Sequence, residues 1–306
     1  MVDINDIRME FRGHIAVGEP MSKYTSLRVG GPADLYLEPL DKEDLIRLVH
    51  HLEAQGIKYI VIGNGSNLLV SDEGIRAAVI NLEKGLSKLW ADDTTVFVEA
   101  GVMMARYVDF CIQRGLGGME MLAGIPGTMG GAIVMNAGAY GGEISNHIVD
   151  VEVLRQGRVV RVKREDAGFA YRRSNFASDI VLHAQFKFPR AERSEMMKRR
   201  RELLLKRGES QPLDLPNSGS VFKNPEGSFA AKLIDEAGLK GQQIGGAKIS
   251  EKHGNFIVNL GNAKAADILE LVKLVRKTVA QRFNVKLDLE VKLIGFPESA
   301  YKEVCA

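Results

Sequence analysis

The stretch from Gly117 to Gly142 constrains the fold more than any other part of the chain, because it holds nine of the 32 glycines within 26 residues. Apolar side chains such as Leu122 and Ile125 are threaded among these glycines, whereas a flexible linker is polar and rich in serine. Glycine has no Cβ atom, so the backbone can adopt positive φ and approach another group closely. Two interpretations are open: tight turns between buried strands, or a cradle whose N–H groups bind an anion, most often phosphate. The density of glycine favours the cradle.

Length and composition describe a chain that can bury a large core. With 306 residues, 45% of them hydrophobic, it is long enough for two or three domains. A formal net charge of +2 suits an anionic small molecule and is far below that of a typical nucleic-acid-binding protein. The first residues, MVDINDIRMEF, lack the apolar core of a secretory signal, and no segment approaches the ~18 apolar residues of a membrane span. We therefore expect a soluble, cytoplasmic protein.

Cysteine and histidine usage predicts neither a disulfide framework nor a metal site. Cys111 lies in a predicted helix and Cys305 in the C-terminal tail, far apart in sequence. Of the six histidines only His50 and His51 are close together, and adjacent residues do not share a face of a helix.

A second glycine-containing segment, GNGSN at residues 63–67, follows the predicted strand Lys58–Ile62. A dinucleotide-binding fingerprint would place a third glycine at position 68 and then open a helix, but Leu68 stands there and a strand-like run follows. A Walker-type loop would need Gly-Lys-Ser/Thr, which does not follow. The segment can still bind phosphate through backbone N–H groups and the side chains of Ser66 and Asn67. An ordinary turn is the alternative, and the Gly117–Gly142 stretch favours phosphate binding.

Hydrophobic periodicity predicts a mixture of helices and strands. The predicted helices are 41–56 with Asp41 as its cap, Met104–Arg114, Glu192–Arg207, one capped by Ser228 that runs to Ala237, and one that begins at Asn262. The predicted strands are Leu35–Glu38, Lys58–Ile62, Val96–Gly101, Ile148–Leu154, Val159–Val162, Ile180–Phe188 and Leu287–Gly295. Gln156-Gly157 is predicted to form a hairpin turn, and residues 208–216, with two prolines, to form a linker.

Three polar features carry possible chemistry. Arg172 and Arg173, next to Tyr171 in a predicted turn, are either a solvated pair or a clamp that binds carboxylate or phosphate through parallel hydrogen bonds. Glu290 lies on the polar face of the last predicted strand and either faces solvent or points into a cleft. The basic run Lys198–Arg201 is typical of a solvated helix face, because no aromatic residues interleave with it.

Six segments occur in the order that is characteristic of one family. They are TSLRVGGPA, GNGSNLLV, AGIPGTMGGAIVMNAGAYG, AYRRS, GSVFKNP and LEVKLIG, and they extend over nearly the whole chain. Together they resemble UDP-N-acetylenolpyruvoylglucosamine reductase, a flavoenzyme that makes UDP-N-acetylmuramate for bacterial peptidoglycan. The resemblance implies an α+β fold, with a two-subdomain FAD-binding module of the vanillyl-alcohol-oxidase type (residues 1–90 and 91–207) and a C-terminal α+β substrate-binding domain (residues 208–306). No tyrosine occurs between Ser174 and Ser220, so the chain resembles the shorter subtype, which lacks a substrate-closing tyrosine loop.

The same resemblance implies a set of site residues. The implied catalytic residues are Arg172, Ser220 and Glu290, and the implied substrate-binding residues are Tyr171, Lys223 and Asn224. The implied cofactor-binding residues are Arg28, Gly63, Asn64, Gly65, Ser66, Asn67, Gly124, Ile125, Pro126, Gly127, Thr128, Gly130, Gly131, Ala132, Asn136, Gly138 and Ile180. The implied cofactor is FAD with NADPH as reductant, and the implied partner is a small UDP-sugar, with no nucleic acid and no membrane.

The implied reaction reduces an enol ether that bears a carboxylate. Arg172 suits the carboxylate through its planar fork of donors, and Ser220 suits the role of proton donor, with the positive charge of Lys223 nearby. Glu290 either donates a hydrogen bond when protonated or orients other groups when ionised, and the sequence leaves this open. One rival interpretation is an FAD-dependent oxidase or dehydrogenase of the same fold with another substrate. A rival of another class is a non-catalytic protein that binds anions or nucleic acid through Lys198–Arg201.

Overall fold

Two compact units make up the protein in a computed structural model that describes residues 4–305, with side chains from residue 6 to 304. The first unit consists of the chain up to Val17 together with Leu35–Asn64 and Ala77–Lys206. The second consists of Gly18–Asp34, Gly65–Arg76 and the chain from Arg207 onward. The division of the chain at residues 90 and 207 into three domains stays a prediction.

Helices and strands are mixed along the chain, as the α+β prediction requires. The helices are α1 (Ile4–Glu10), α2 (Lys42–Ala54), α3 (Met104–Gln113), α4 (Met129–Val134), α5 (Arg193–Ser210), α6 (Ala230–Glu236), α7 (Ala265–Phe283) and α8 (Glu298–Cys305). The strands are β1 (His14–Pro20), β2 (Pro32–Glu38), β3 (Tyr59–Ile62), β4 (Leu68–Val70), β5 (Ile75–Asn81), β6 (Leu89–Asp92), β7 (Thr95–Glu99), β8 (Gly138–Ala139), β9 (Gly142–Glu143), β10 (Ile148–Arg155), β11 (Arg158–Lys163), β12 (Ile180–Lys187), β13 (Gln243–Ile244), β14 (Ala247–Ile249), β15 (Ile257–Asn259) and β16 (Lys292–Ile294).

A five-stranded antiparallel sheet with the order β11-β10-β12-β7-β6 organises the first unit. A four-stranded sheet has the order β1-β2-β5-β3, in which β3 and β5 run parallel. Leu48 of α2, Val108 of α3, and Val153 and Phe186 of the five-stranded sheet all belong to one buried cluster. Burial of these apolar side chains is the main favourable contribution to the stability of the unit.

Two local signals in the sequence are confirmed in the first unit. Asp41 caps α2, because its carboxylate accepts a hydrogen bond from the Asp44 N–H at 2.8 Å. Gln156 and Gly157 form the two-residue turn between β10 and β11, with φ of +49° and +71°. Positive φ at both positions matches the twist of a hairpin, which explains a glycine at the second of them.

The second unit builds a separate core around α7. The three-stranded antiparallel sheet has the order β13-β14-β15, and β16 pairs with β4 in parallel. Ile268, Val272, Val275 and Val279 form the buried face of α7, as their spacing predicts. Val221 belongs to the same core, which places the segment around Ser220 at its surface.

Two helix starts were predicted wrongly in the second unit. Ser228 does not cap α6; the N-cap is Phe229, and the Asn224 side chain accepts from the Ala230 N–H at 3.1 Å. Asn262 does not begin α7, whose N-cap is Lys264. Asp72, almost 200 positions earlier in the chain, accepts from the first two N–H groups of α7 at 2.8 and 2.9 Å. Both caps come from residues that local spacing does not reveal.

Two segment bounds also differ from the prediction. α5 continues to Ser210, three residues into the predicted linker. The strand predicted over Leu287–Gly295 is reduced to β16, because residues 287–291 bond to a different segment. Leu289 forms an isolated bridge with Phe222, and the Asp288 carbonyl accepts from the Lys223 N–H at 2.8 Å. The backbone there follows the 220–223 segment instead of a sheet.

The basic run Lys198–Arg201 lies on α5 and is partly paired. Arg199 and Arg200 come within 3.9 Å of Glu120 and 3.0 Å of Asp109, respectively. Acidic residues of the first unit therefore offset part of its charge.

Cys111 is a buried free thiol. Cys305 is the last residue of α8, and its side chain is outside the described residues. Over residues 4–305, no helix combines the length and apolarity that a membrane crossing needs. The described side chains also form no cluster of three potential metal ligands among His, Cys, Asp and Glu.

Candidate active site

The turn before α4 forms the centre of the glycine-rich stretch in the first unit. Gly124 and Gly127 adopt φ of +82° and +122°. The Gly127 carbonyl accepts a hydrogen bond from the Met104 N–H at 2.9 Å, and Thr128 is the N-cap of α4. The turn is thereby fastened to the start of α3, while Gly124 and Pro126 stay exposed.

The first N–H groups of α4 are already hydrogen-bonded. The Met129 N–H donates to the Val102 carbonyl and the Gly130 N–H to the Ala100 carbonyl, both at 2.8 Å. These two groups are therefore not available to an anion. The sequence interpretation, in which free amides along the stretch wrap a phosphate, does not hold for this pair.

Gly63 lies directly against this turn. A Cβ atom at Gly63 would stand 2.1 Å from Thr128 Oγ1, and Thr128 is only 3% exposed, so its side chain has little room to move. The Gly63 carbonyl accepts from the Asn81 side chain at 3.4 Å. The first unit thus brings together the start of the GNGSN segment and the turn before α4, two segments expected to serve one cofactor.

Gly131 is exposed and has open space where its Cβ would be, with Thr128 Oγ1 at 3.8 Å as the nearest atom. Glycine in a helix destabilises it by roughly 0.5–1 kcal/mol relative to alanine. Nothing within the first unit requires a glycine at this position. An exposed backbone surface of this kind fits a large group that lies against α4, and an FAD has both a flat ring and a pyrophosphate to place there.

Two other predicted cofactor residues have their side chains in the interior. Asn136 is 0% exposed and Ile180, at the start of β12, is 6% exposed. The Asn136 side chain donates to Glu143 at 2.9 Å and to the Ala170 carbonyl at 3.1 Å. If these two residues contribute to cofactor binding, they do so by fixing the backbone around them and not by side-chain contact.

Arg172 occupies a strained position in a tight turn. Ala170 and Arg173 exchange two backbone hydrogen bonds of 3.0 Å, which leaves Tyr171 and Arg172 at the corner. Arg172 has φ of +52°, a conformation that costs a residue with a side chain about 1–2 kcal/mol. Its Nη2 donates to the Gly138 carbonyl at 2.9 Å, and its guanidinium lies 5.0 Å from the ring centre of Tyr171. Strain of this kind clusters at functional sites.

The other predicted cofactor residues, Arg28 and 65–67, belong to the second unit. Arg28 is exposed with φ of +55°, and its N–H donates to the Thr25 carbonyl at 3.0 Å. A Cβ atom at Gly65 would stand 1.9 Å from the Tyr24 carbonyl oxygen, so this glycine is required by packing inside the unit.

The second unit brings Ser220 and Glu290 into neighbouring segments. The Val221 carbonyl accepts from the Glu290 N–H at 2.9 Å and from the Val291 N–H at 3.3 Å. Lys223 is joined to the same segment through its own N–H. Ser220, Lys223 and Glu290 are all half-buried, so a hydroxyl, an ammonium and a carboxylate share one region with partial access to solvent.

Two asparagines that hold these segments were not identified from the sequence in this role. Asn255 is 3% exposed; its side chain accepts from the Phe222 N–H at 2.9 Å and donates to the Phe222 carbonyl at 2.8 Å. Asn67, predicted as a cofactor residue, donates from its side chain to the Glu290 carbonyl at 3.1 Å. Their partners are 33 and 223 positions away, so no local pattern signals either role.

Lys223 and Asn224, the predicted substrate residues, differ in what they contact. The Lys223 N–H donates to the Asp288 carbonyl, whereas the Asn224 side chain accepts from the first N–H group of α6. Tyr171, the third of this set, is 48% exposed in the first unit.

Comparisons with known proteins identify relatives along almost the whole chain. A family described as an FAD binding domain matches residues 33–163, and one described as the C-terminal domain of UDP-N-acetylenolpyruvoylglucosamine reductase matches residues 211–294. A UDP-N-acetylenolpyruvoylglucosamine reductase from Chloroherpeton thalassium is 44% identical, over 99% of this chain and all of that protein. One from Agathobacter rectalis is 46% identical over 90% of this chain and 93% of that protein. A crystal structure of the reductase from Thermus caldophilus has a TM-score of 0.80 at 38% identity and covers 92% of this chain and 99% of its own.

Proposed function

This chain belongs to the UDP-N-acetylenolpyruvoylglucosamine reductase family, and from that premise we infer how its residues divide the work of the reaction. It is an FAD-dependent oxidoreductase that uses NADPH to reduce the enolpyruvyl group of UDP-N-acetylglucosamine enolpyruvate. The product, UDP-N-acetylmuramate, carries a lactyl ether and is a precursor of peptidoglycan. The predictions of an FAD-binding module followed by a C-terminal domain, and of this activity, are confirmed.

The cofactor surface that we propose is the face around Gly131, with the exposed turn at Gly124–Pro126 beside it. FAD supplies the means of carrying a hydride from NADPH to the substrate. The protein contributes the open surface at Gly131 and the rigid turn fastened by Thr128 and Met104. Arg28 and residues 65–67, which belong to the second unit, stay predicted cofactor residues.

We propose that Arg172 binds the substrate carboxylate. Hydride addition to the terminal CH2 carbon moves electron density onto the neighbouring carbon and its carboxylate, which gives an enolate-like state. A guanidinium that grips both carboxylate oxygens stabilises this charge more than it stabilises the neutral double bond. A preorganised donor of this kind contributes about 3 kcal/mol. The strained backbone of Arg172 and its bond to Gly138 support the role, because both reduce the freedom of the guanidinium.

We propose that Ser220 donates the proton that completes the reduction. The hydride forms the new C–H bond at the CH2 carbon, the electron pair of the double bond moves to the adjacent carbon, and the Ser220 hydroxyl protonates that carbon. The proton is then replaced from solvent. A serine hydroxyl is a weak acid, so the positive charge of Lys223 in the same segment supports it, and Glu290 orients the hydroxyl or the enolate.

One observation carries this assignment: the backbone bonds between Val221 and Glu290. They place a hydroxyl, a cation and a carboxylate from distant parts of the chain in adjacent segments, which a structural role alone does not demand. Asn255 fixes the same segment from its other edge.

Ser220→Ala tests the proposal through the two half-reactions. In stopped-flow absorbance, NADPH should bleach the flavin of the variant at close to the wild-type rate, because that step needs no proton from Ser220. Reoxidation by the enolpyruvyl nucleotide should slow by about 10²–10⁴-fold, the usual contribution of a general acid. Ser228→Ala, a serine substitution near the same segment whose hydroxyl does not cap α6, is the matched control. Normal reoxidation in Ser220→Ala would remove Ser220 from the acid role.

Several finer properties are proposed with the function. The enzyme is expected in the cytoplasm, where NADPH and nucleotide sugars are made, and without a nucleic-acid partner. The partial pairing of Lys198–Arg201 with Asp109 and Glu120 supports the second point. The enzyme is assigned to the shorter subtype of the family, because the segment between Ser174 and Ser220 contains no tyrosine that could close over the substrate.

A further inference from the structure

A partly buried hydrogen-bonded group, in which Asn136 is fully buried, lies next to Arg172, and no step of the proposed reaction uses it. It consists of Asn136, Gly138, Glu143 and Ala170, which we call the Arg172 bracket. Asn136 is 0% exposed and adopts φ of +42°, which asparagine and aspartate tolerate better than most residues. A fully buried amide in this conformation calls for an explanation.

The Asn136 side chain connects three parts of the first unit. Its Nδ2 donates to Glu143 Oε2 at 2.9 Å and to the Ala170 carbonyl at 3.1 Å. Its Oδ1 accepts from the Ser145 N–H at 3.3 Å. The β8–β9 hairpin, which contains Glu143, is thereby joined to the turn that begins at Ala170 and holds Arg172.

The hairpin also holds the guanidinium of Arg172 directly. The Gly138 carbonyl of β8 accepts from Arg172 Nη2 at 2.9 Å. Glu143 Cγ and Arg172 Nη1 lie 3.0 and 3.5 Å from the point where a Gly138 Cβ would stand. A side chain at position 138 would therefore fill the space in which these groups meet. Both the backbone of Arg172 and its guanidinium depend on elements that Asn136 joins.

We propose that Asn136 and Glu143 are positioning residues for Arg172. They hold the Tyr171–Arg172 turn and the Gly138 carbonyl at a fixed separation, so that the guanidinium is aimed before the substrate carboxylate arrives. This inference rests on the proposed function, because it assigns the residues to the half-reaction in which Arg172 acts. On this view Asn136 acts in substrate binding through Arg172, whereas the sequence resemblance implied that it binds the cofactor.

Asn136→Asp breaks the bracket with little change in shape. Aspartate keeps the acceptor for Ser145 and tolerates the same φ, but it loses the donor to Ala170 and faces the Glu143 carboxylate. Two facing carboxylates share a proton at lower pH, so acid should restore the bond between positions 136 and 143. Adding Glu143→Gln should restore the bond between positions 136 and 143 at any pH, because the glutamine amide can donate to the introduced carboxylate, whereas the bond to the Ala170 carbonyl stays lost. A small misplacement of a binding group costs up to about 10²-fold in rate, so we expect reoxidation by the enolpyruvyl nucleotide to slow by at least about tenfold in Asn136→Asp.

The experiment compares the wild type, Asn136→Asp, the double variant and Asn284→Asp in both half-reactions from acid to neutral pH. Asn284 makes a matched control, because it is exposed and has φ of +55° at the end of α7. We expect Asn136→Asp to slow reoxidation but not reduction by NADPH, and to recover part of the lost rate at low pH or with Glu143→Gln. Equal losses in both half-reactions with no recovery would show a merely structural role and overturn the inference, as would unchanged rates.

Two further arms keep the test decisive. If Asn136→Asp does not fold, Glu143→Leu removes the bond between Asn136 and Glu143. Reoxidation by the nucleotide should then again be slowed while reduction by NADPH is not. Hydrogen exchange of the peptide 168–176, which contains the Ala170–Arg173 bonds, tests the bracket without substrate. It should be faster in Asn136→Asp and stay faster in the double variant, because both lack the donor to the Ala170 carbonyl. A wild type that does not turn over the nucleotide would refute the proposed function, whereas unchanged exchange in Asn136→Asp would refute the bracket.

Discussion

Gly131→Ala should strengthen the folded protein and weaken its hold on FAD. The position lies in α4, is exposed, and has no atom of the protein within 3.8 Å of the added Cβ. Alanine therefore fits the cofactor-free protein without strain, and it removes the conformational entropy that glycine retains in the unfolded chain. The expected gain in the free energy of unfolding is about 0.5–1 kcal/mol. For a protein of this size, the melting temperature should rise by roughly 2 °C.

The same methyl group would stand where the cofactor is proposed to lie. Overpacking a close contact by one methyl costs typically about 1–3 kcal/mol, which corresponds to a loss in FAD affinity of roughly 5–150-fold. The assay removes FAD, follows thermal unfolding of the apoprotein, and titrates FAD back by the quenching of its fluorescence. The melting temperature of the apoprotein should rise, while the affinity for FAD should fall.

Gly130→Ala is the control, because it makes the same substitution one residue earlier. Its Cβ would stand 2.9 Å from the Ala100 Cβ, so it should destabilise the apoprotein itself. Unchanged FAD affinity in Gly131→Ala, together with the rise in stability, would refute the view that the cofactor lies against α4.

Two further predictions concern Arg172 and Glu152. Arg172→Lys should lower kcat by about tenfold or more although the charge remains, because the lysine cannot grip both carboxylate oxygens; near-normal turnover would show that charge alone matters. Burial tends to raise the pKa of Glu152, but the hydrogen bond from Lys42 and the charges of His183 and Lys42 outweigh it and lower that pKa below the ordinary 4.5. A carboxylate whose pKa is lower in the folded than in the unfolded state stabilises the protein at pH values above its unfolded-state pKa, and this stabilisation is lost as the pH falls through the folded-state pKa. The free energy of unfolding in urea should therefore fall less on acidification in Glu152→Gln than in the wild type. Equal losses in the two proteins would contradict this assignment.

The parts of the fold that sequence predicts well are those with local causes. The cap of α2 and the hairpin turn at Gln156-Gly157 depend on residues within a few positions of each other, and both are confirmed. The start of α7 at its N-cap Lys264 was missed, and the first two N–H groups of the helix donate to Asp72, from a remote part of the chain. A pattern in a window of residues cannot contain such a partner.

The glycines show the same limit inside the site. Gly63 and Gly131 are glycines of two predicted cofactor segments, but they are needed for different reasons. A side chain at position 63 would collide with Thr128, whereas at position 131 there is open space that a ligand could occupy. The density of glycine therefore has more than one cause, and the cofactor site that it indicates stays a prediction. Likewise the sequence placed Arg172 in a turn but gave no sign of its positive φ or of its bond to Gly138.

The measurement that tests the central claim most directly is anaerobic stopped-flow absorbance of the purified wild-type protein. The account predicts that one equivalent of NADPH bleaches the bound flavin, and that UDP-N-acetylglucosamine enolpyruvate then restores the colour as an equal amount of the lactyl ether forms. A colourless protein, or a reduced flavin that the nucleotide leaves bleached, would contradict it.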